Sequence, residues 1–151
     1  VARHQGRRVF AFTRAGDEAA QAFARELGAE WAGDALGPAP EELDAALIFA
    51  PAGELVPVAL AAVAKGGTVV CAGIHMSEIP AFPYAILWGE RTVRSVANLT
   101  RADGEEFMRV AGDFRLDTQV TEVALADAQR ALDDLRAGRL VGAAVLRCAR
   151  D

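Results

Sequence analysis

Four short runs carry the residues best suited to holding a ligand: Thr13-Arg14, Ala50-Pro51-Ala52-Gly53, Gly73-Ile74-His75 and Val96-Ala97-Asn98. Each follows a stretch of apolar, β-prone residues. Arg14 offers a planar guanidinium fork that can pair bidentately with a phosphate. Thr13 before it is small and neutral, and none of residues 8 to 16 is acidic. An acid at such a strand end accepts a hydrogen bond from a ribose hydroxyl, whereas a phosphate there needs a cation. Thr13 and Arg14 therefore suit a ribose 2′-phosphate, with an exposed loop arginine as the plainer alternative. His75 could hydrogen-bond a ligand or brace its own loop. Ala50 to Gly53 are small enough for a ligand to approach the backbone, or they form a simple turn. Val96 to Asn98 could end an ordinary edge strand.

Other reactive residues point nowhere in particular. Cys71 and Cys148 are too few for a disulfide framework and lack metal-ligand spacing. Cys71 with His75 gives only two possible donors, so no metal ligand is assigned, and no catalytic residue either. Asn98-Leu99-Thr100 fits a glycosylation acceptor, but no basic-then-apolar leader precedes it, so the match reads as chance. Residues 1 to 16 carry Arg3, Arg7, Arg8 and Arg14 and no acid, while residues 17 to 54 carry nine acids against Arg25 alone. Such a basic start is either a solvated face or a local anion site.

The elements that would position these runs follow from pattern. RVFAFT, residues 8 to 13, reads as a buried strand. Asp17 can cap a helix whose face is Ala20, Phe23, Ala24 and Leu27, with Gly28 as its stop. A short strand follows near Glu30 to Ala32. Asp44 to Ala50 is a strand stopped by Pro51. Leu55 to Lys65 is a helix stopped by Gly66-Gly67, with Pro57 in its first turn. Thr68 to Ala72 and Thr92 to Leu99 are further strands. Asp103 to Phe114 is a helix with Phe107, Val110, Ala111 and Phe114 on its core face. A strand over Thr118 to Ala124, a helix over Leu125 to Leu135 and a strand over Gly142 to Arg147 complete the chain. Apolar strands alternating with helices imply an α/β fold: a mainly parallel, doubly wound sheet with helices on both faces. Ligands of such sheets bind beyond the carboxyl ends of the strands, where all four runs fall.

The chain has 151 residues, 52% hydrophobic and 25% charged, with a formal net charge of −5. That supports a packed core, suits one domain with a short appendage, and argues against nucleic-acid binding. No apolar run reaches the roughly 18–20 residues needed to span a bilayer. A reducing, cytoplasmic setting fits the cysteine usage.

The phrases VFAFTRAGDEAAQAFARELGA, DAALIFAPAGELVPVALAAVAKGG, VVCAGIHMSEIPAF, LWGERTVRSVANLTRADGEEF and ALDDLRAGRLVGAAVL, in this order and spacing, resemble the C-terminal half of the zinc-type medium-chain alcohol dehydrogenases. Within that family the chain resembles the bacterial cinnamyl-alcohol-dehydrogenase-like subgroup. The resemblance implies a partial Rossmann domain over residues 1 to 115 and a segment over 116 to 151 that rejoins a catalytic domain. In that family a strand and a G-x-G-x-x-G turn come before the first segment seen here, and no such motif occurs in this sequence. The family's zinc ligands also belong to the other half. The resemblance thus implies a truncated piece, beginning inside the helix after that turn and inactive alone. Its parent would be a zinc-dependent oxidoreductase of primary alcohols and aldehydes using NADP or NAD, with NADP favoured by Thr13 and Arg14. By the same resemblance Ala50 and Pro51 line the cofactor, Gly73, Ile74 and His75 lie beside the nicotinamide, and backbone groups of Val96, Ala97 and Asn98 bind its carboxamide. An arginine that reaches the pyrophosphate in the family falls here at Val141, and Arg139, expected on the same strand face, is a substitute. Family members often dimerise through the strand corresponding to residues 92 to 98, and an open edge there favours pairing. A non-catalytic nucleotide-binding module and an oligomerisation module are the rival readings.

Overall fold

Residues 1–140 and 142–148 are described here from a computed structural model of the chain. Two compact units divide it, Val1–Met108 and Arg109–Asp151. In the first, residues 1 to 6 form one hydrogen-bonded turn, with Gln5 N–H donating to the Val1 carbonyl, closed by Gly6 at φ +73°. The apolar run after it becomes β1 (Phe10–Thr13). Helix α1 (Glu18–Glu26) starts at Asp17, whose carboxylate accepts the Ala20 N–H at 3.0 Å. That bond satisfies one of the free amides of the first turn. Gly28, at φ +94°, ends the helix in the left-handed region that glycine alone enters without cost. The chain returns as β2 (Trp31–Asp34), parallel to β1, with Thr13 opposite Asp34.

A second sheet holds the core. Strand β3 (Leu43–Ile48), helix α2 (Leu55–Ala62), β4 (Val63–Cys71) and β5 (Thr92–Ser95) give the order β3-β4-β5, parallel throughout. Val56 and Leu60 from α2 meet Ile48, Val63, Val69 and Cys71 from the sheet, and these six form the one large buried cluster among the described residues. The strand pairs run β2-β1 and β3-β4-β5, and no hydrogen bond joins the two sheets.

Helix α3 (Arg101–Asp113) runs across the boundary in sequence. The second unit contains β6 (Val120–Ala124), α4 (Ala128–Arg136) and β7 (Ala143–Arg147), with β6 and β7 parallel. Every strand pair described is therefore parallel and every crossover carries helix or loop, the α/β class expected from the pattern. Among the described residues no helix is long and apolar enough to cross a membrane.

Several expectations need correction. The helix expected over Leu55 to Lys65 ends at Ala62, and Val63 is already extended and paired with Leu43. Ala and Val suit helix and strand alike, so pairing with a neighbour decides. Gly66-Gly67 is then an irregularity inside β4, where the register with β3 shifts. Strand β3 stops at Ile48, so Phe49 and Ala50 belong to the loop, and β5 stops at Ser95, leaving Val96, Ala97 and Asn98 beyond it. The faces of α1 and α3 were expected in a core, yet neither helix has a buried residue, and Leu27 and Phe107 are exposed. Periodicity shows which face is apolar, not whether a surface exists to cover it, and α1 rests on only two strands.

Candidate functional site

Parallel register brings three of the four runs to one edge. Ile48 pairs with Cys71, and Cys71 with Ser95, so β3, β4 and β5 end side by side. Two strand spacings, about 10 Å, separate the outer ends. The ladder extends one step past the strands: Ala72 N–H donates to the Ile48 carbonyl at 2.8 Å and Val96 N–H to the Cys71 carbonyl at 3.0 Å. Ala50-Pro51, Gly73-Ile74-His75 and Val96-Ala97-Asn98 leave the sheet from these points.

The β3 and β4 loops press closely together. A Cβ on Gly73 would lie 3.1 Å from the Ala50 carbonyl oxygen. Ser77 N–H donates to the Pro51 carbonyl at 3.2 Å, and Gly53 N–H donates to Ser77 Oγ at 2.9 Å. Ile74 is exposed, and so is His75, which takes a left-handed backbone at φ +54°. Such a conformation is uncommon outside glycine and is held by its surroundings. Beneath the loops Cys71 is buried, and loss of solvation pushes its thiol pKa up, so it stays a protonated core residue.

Thr13 and Arg14 end β1, in the other sheet of the same unit. Thr13 Oγ1 accepts from Gln21 Nε2 at 3.2 Å, which ties the strand end to α1. The Arg14 carbonyl accepts the Asp17 N–H, and Gly16 at φ +75° completes the turn. The Arg14 side chain is exposed and forms no ion pair among the described residues. Arg8 behaves differently: Glu30 at 2.8 Å and Glu41 at 2.5 Å neutralise it, and its guanidinium lies 5.2 Å from the Phe10 ring centre. The basic character expected of the N-terminal segment is therefore reduced at Arg8 and intact at Arg14. Asp34, across the ladder from Thr13, was not singled out from the sequence; its Oδ1 accepts the Leu36 N–H at 2.9 Å.

Arg139 lies in the second unit. It follows α4 ahead of β7 and lies in neither element, whereas it was expected on a strand. Its guanidinium pairs with Asp134 at 2.7 Å. Val141, the position matched to the family's pyrophosphate arginine, lies outside the described residues. No group of three or more His, Cys, Asp or Glu suited to a metal occurs among the described residues. Ser77 had no sequence signal: it belongs to no motif, and its partner Gly53 lies 24 residues away.

Parallel strands with their loops leaving one sheet edge give a partial Rossmann-like α/β fold. No family model matches the chain. A probable alcohol dehydrogenase, AdhA, from Mycobacterium tuberculosis is 44% identical over 147 residues, spanning 97% of this chain and 42% of the relative. A cinnamyl alcohol dehydrogenase from Sorghum bicolor superposes with a TM-score of 0.80 over 96% of this chain and 42% of its own, at 21% identity. The yhfP protein of Bacillus subtilis with NAD bound gives 0.75 at 20% identity, over 96% and 48% of the two chains. The yhdH oxidoreductase of Salmonella enterica in complex with NADP gives 0.77 at 19% identity, over 98% and 49%. Over nearly its whole length the chain is similar to an alcohol dehydrogenase and shares the fold of oxidoreductases of that kind, and it spans less than half the length of the relatives it matches.

Proposed function

We propose that this chain is the cofactor-binding part of a zinc-dependent oxidoreductase that interconverts alcohols and aldehydes with NADP(H), and with NAD(H) less well. The observation that carries the reading is the alignment of Ile48, Cys71 and Ser95, which delivers three loops to one edge where a dinucleotide can lie across them. The name of the 44% identical relative supports the reaction, and the NAD and NADP bound by two proteins of the same fold support the cofactor.

The residues fit such a ligand. Arg14 is an exposed cation with no competing carboxylate partner among the described residues, suited to a 2′-phosphate. Asp17, the nearest acid in sequence, caps α1 instead. Ala50, Pro51 and Gly73 present backbone with little side chain to obstruct it. His75 and the backbone of Val96, Ala97 and Asn98 would orient the carboxamide of the ring. When bound, the nicotinamide accepts or donates the hydride. The described residues do not fit a zinc site, so zinc would be held by residues other than these. Arg139, in the second unit, is paired with Asp134.

By this reading residues 1 to 115 bind the cofactor, residues 116 to 151 join the catalytic domain, and the chain alone does not turn over. The outer edge of β5 supports a second role in the same protein, homodimerisation through residues 92 to 98. A cytoplasmic setting fits two free cysteines, one buried and one exposed. The test is alcohol oxidation and zinc content measured on this chain and on the full-length protein that carries it. Activity with one or more zinc ions in the full-length protein, and neither in the chain, is expected. Zinc-free activity in the full-length protein refutes the reading.

A further inference from the structure

The β3 and β4 loops are clasped reciprocally. Gly53 N–H donates to the Ser77 hydroxyl oxygen while Ser77 N–H donates to the Pro51 carbonyl, at 2.9 and 3.2 Å. Gly53 is buried beneath the second strand of this clasp. A Cβ there would lie 2.6 Å from the Ser77 carbonyl oxygen and nearer still to that of Glu78, so only glycine admits the backbone of residues 77 and 78. Between Gly73 and Ser77 stand Ile74, His75 and Met76. Met76 packs against the core cluster, and Ile74 and His75 face outward. Both ends of this arch are therefore fixed, at Gly73 against Ala50 and at Ser77 against Gly53. His75 takes its left-handed backbone, at φ +54°, between those two anchors.

We propose that Ser77 is a positioning residue: its clasp with Gly53 sets the Ile74–His75 arch against the Ala50–Pro51 rim and so determines how the nicotinamide end of a dinucleotide is held. This rests on the cofactor reading above. Ser77 acts through the loop and need not touch the ligand. Its removal leaves the Gly53 N–H without its acceptor and releases one end of the arch.

The experiment is steady-state kinetics and NAD(P)H titration on the full-length protein with Ser77→Ala, Ser77→Thr and Gly53→Ala. Ser77→Ala should raise the cofactor KM about tenfold, the effect of one hydrogen bond lost from the bound geometry, while the alcohol KM stays near wild type. Ser77→Thr keeps the hydroxyl and should restore most of the cofactor KM. Gly53→Ala should reproduce the Ser77→Ala defect with the hydroxyl still present. A purely structural role would lower thermal stability in all three without separating the cofactor KM from kcat or being rescued by Thr. An unchanged cofactor KM in Ser77→Ala, with normal binding by the wild type, overturns the clasp alone. A wild type that binds neither NADPH nor NADH overturns the cofactor reading and the role of Ser77 with it.

Discussion

Arg14→Ala tests cofactor choice at the single exposed cation of the β1 end. In the free protein this side chain has no ion pair among the described residues, so its removal costs little before a ligand arrives. The loss therefore falls on the bound state. A charge-assisted hydrogen bond to phosphate contributes about 1.5–3 kcal/mol. Exposure and salt place Arg14 at the lower end of that range, because surface charges are screened over about 8 Å at physiological ionic strength. About 1.5 kcal/mol corresponds to a roughly tenfold weaker Kd for NADPH. NADH lacks the 2′-phosphate and should bind the variant as it binds the wild type. The assay is parallel titration of both cofactors into the full-length protein and its variant at low and high salt. The ratio between variant and wild type for NADPH should shrink as salt rises. Equal weakening for both cofactors would show that Arg14 supports its turn, whose carbonyl receives the Asp17 N–H, and reads no phosphate.

Three further outcomes are expected. Leu60, fully buried where α2 meets the sheet, should cost about 2–5 kcal/mol as Leu60→Ala, seen as a lower urea midpoint with the slope unchanged. Asp103 accepts both the N–H and the hydroxyl of Thr100, and these bonds hold its pKa below the ordinary carboxylate value. Its support for the start of α3 is thus complete above that ordinary value and is lost as pH falls through the depressed one; carboxyl titration by NMR should show the low midpoint, and Thr100→Ala should raise it. Light scattering should give twice the chain mass, with the outer-edge amides of β5 slow to exchange, and a monomer at high concentration would remove the proposed dimer.

The parts of the fold legible in the sequence were those governed by local chemistry. Asp17 and Gly28 bracket α1 because a carboxylate cap and a left-handed glycine act within a few residues of themselves. The strand ends that gather Ala50, Gly73 and Val96 were legible because apolar runs broken by Pro or Gly mark parallel strands. Val63 was misassigned to a helix because its pairing partner, Leu43, lies twenty residues away and leaves no trace in local composition. The same holds for the site. Arg14 stands out by charge, but the neutralisation of Arg8 by Glu30 and Glu41 depends on tertiary approach. The clasp between Ser77 and Gly53 is a contact between two loops, and only the small residue at Gly53 hinted that backbone would come close. Arg139 was expected on a strand but lies between the turn that ends α4 and the start of β7.

The most direct test of the account is a binding footprint, with amide exchange or NMR shifts recorded across the protein as NADPH is added. The account predicts perturbation at Thr13-Arg14, at residues 50–53 and 73–77 and at 96–98, with the changes around Arg14 reduced when NADH replaces NADPH. Perturbation confined to other surfaces, such as the groove that α2 forms with Leu36, Pro38 and Glu41, or none at saturating NADPH, would contradict it.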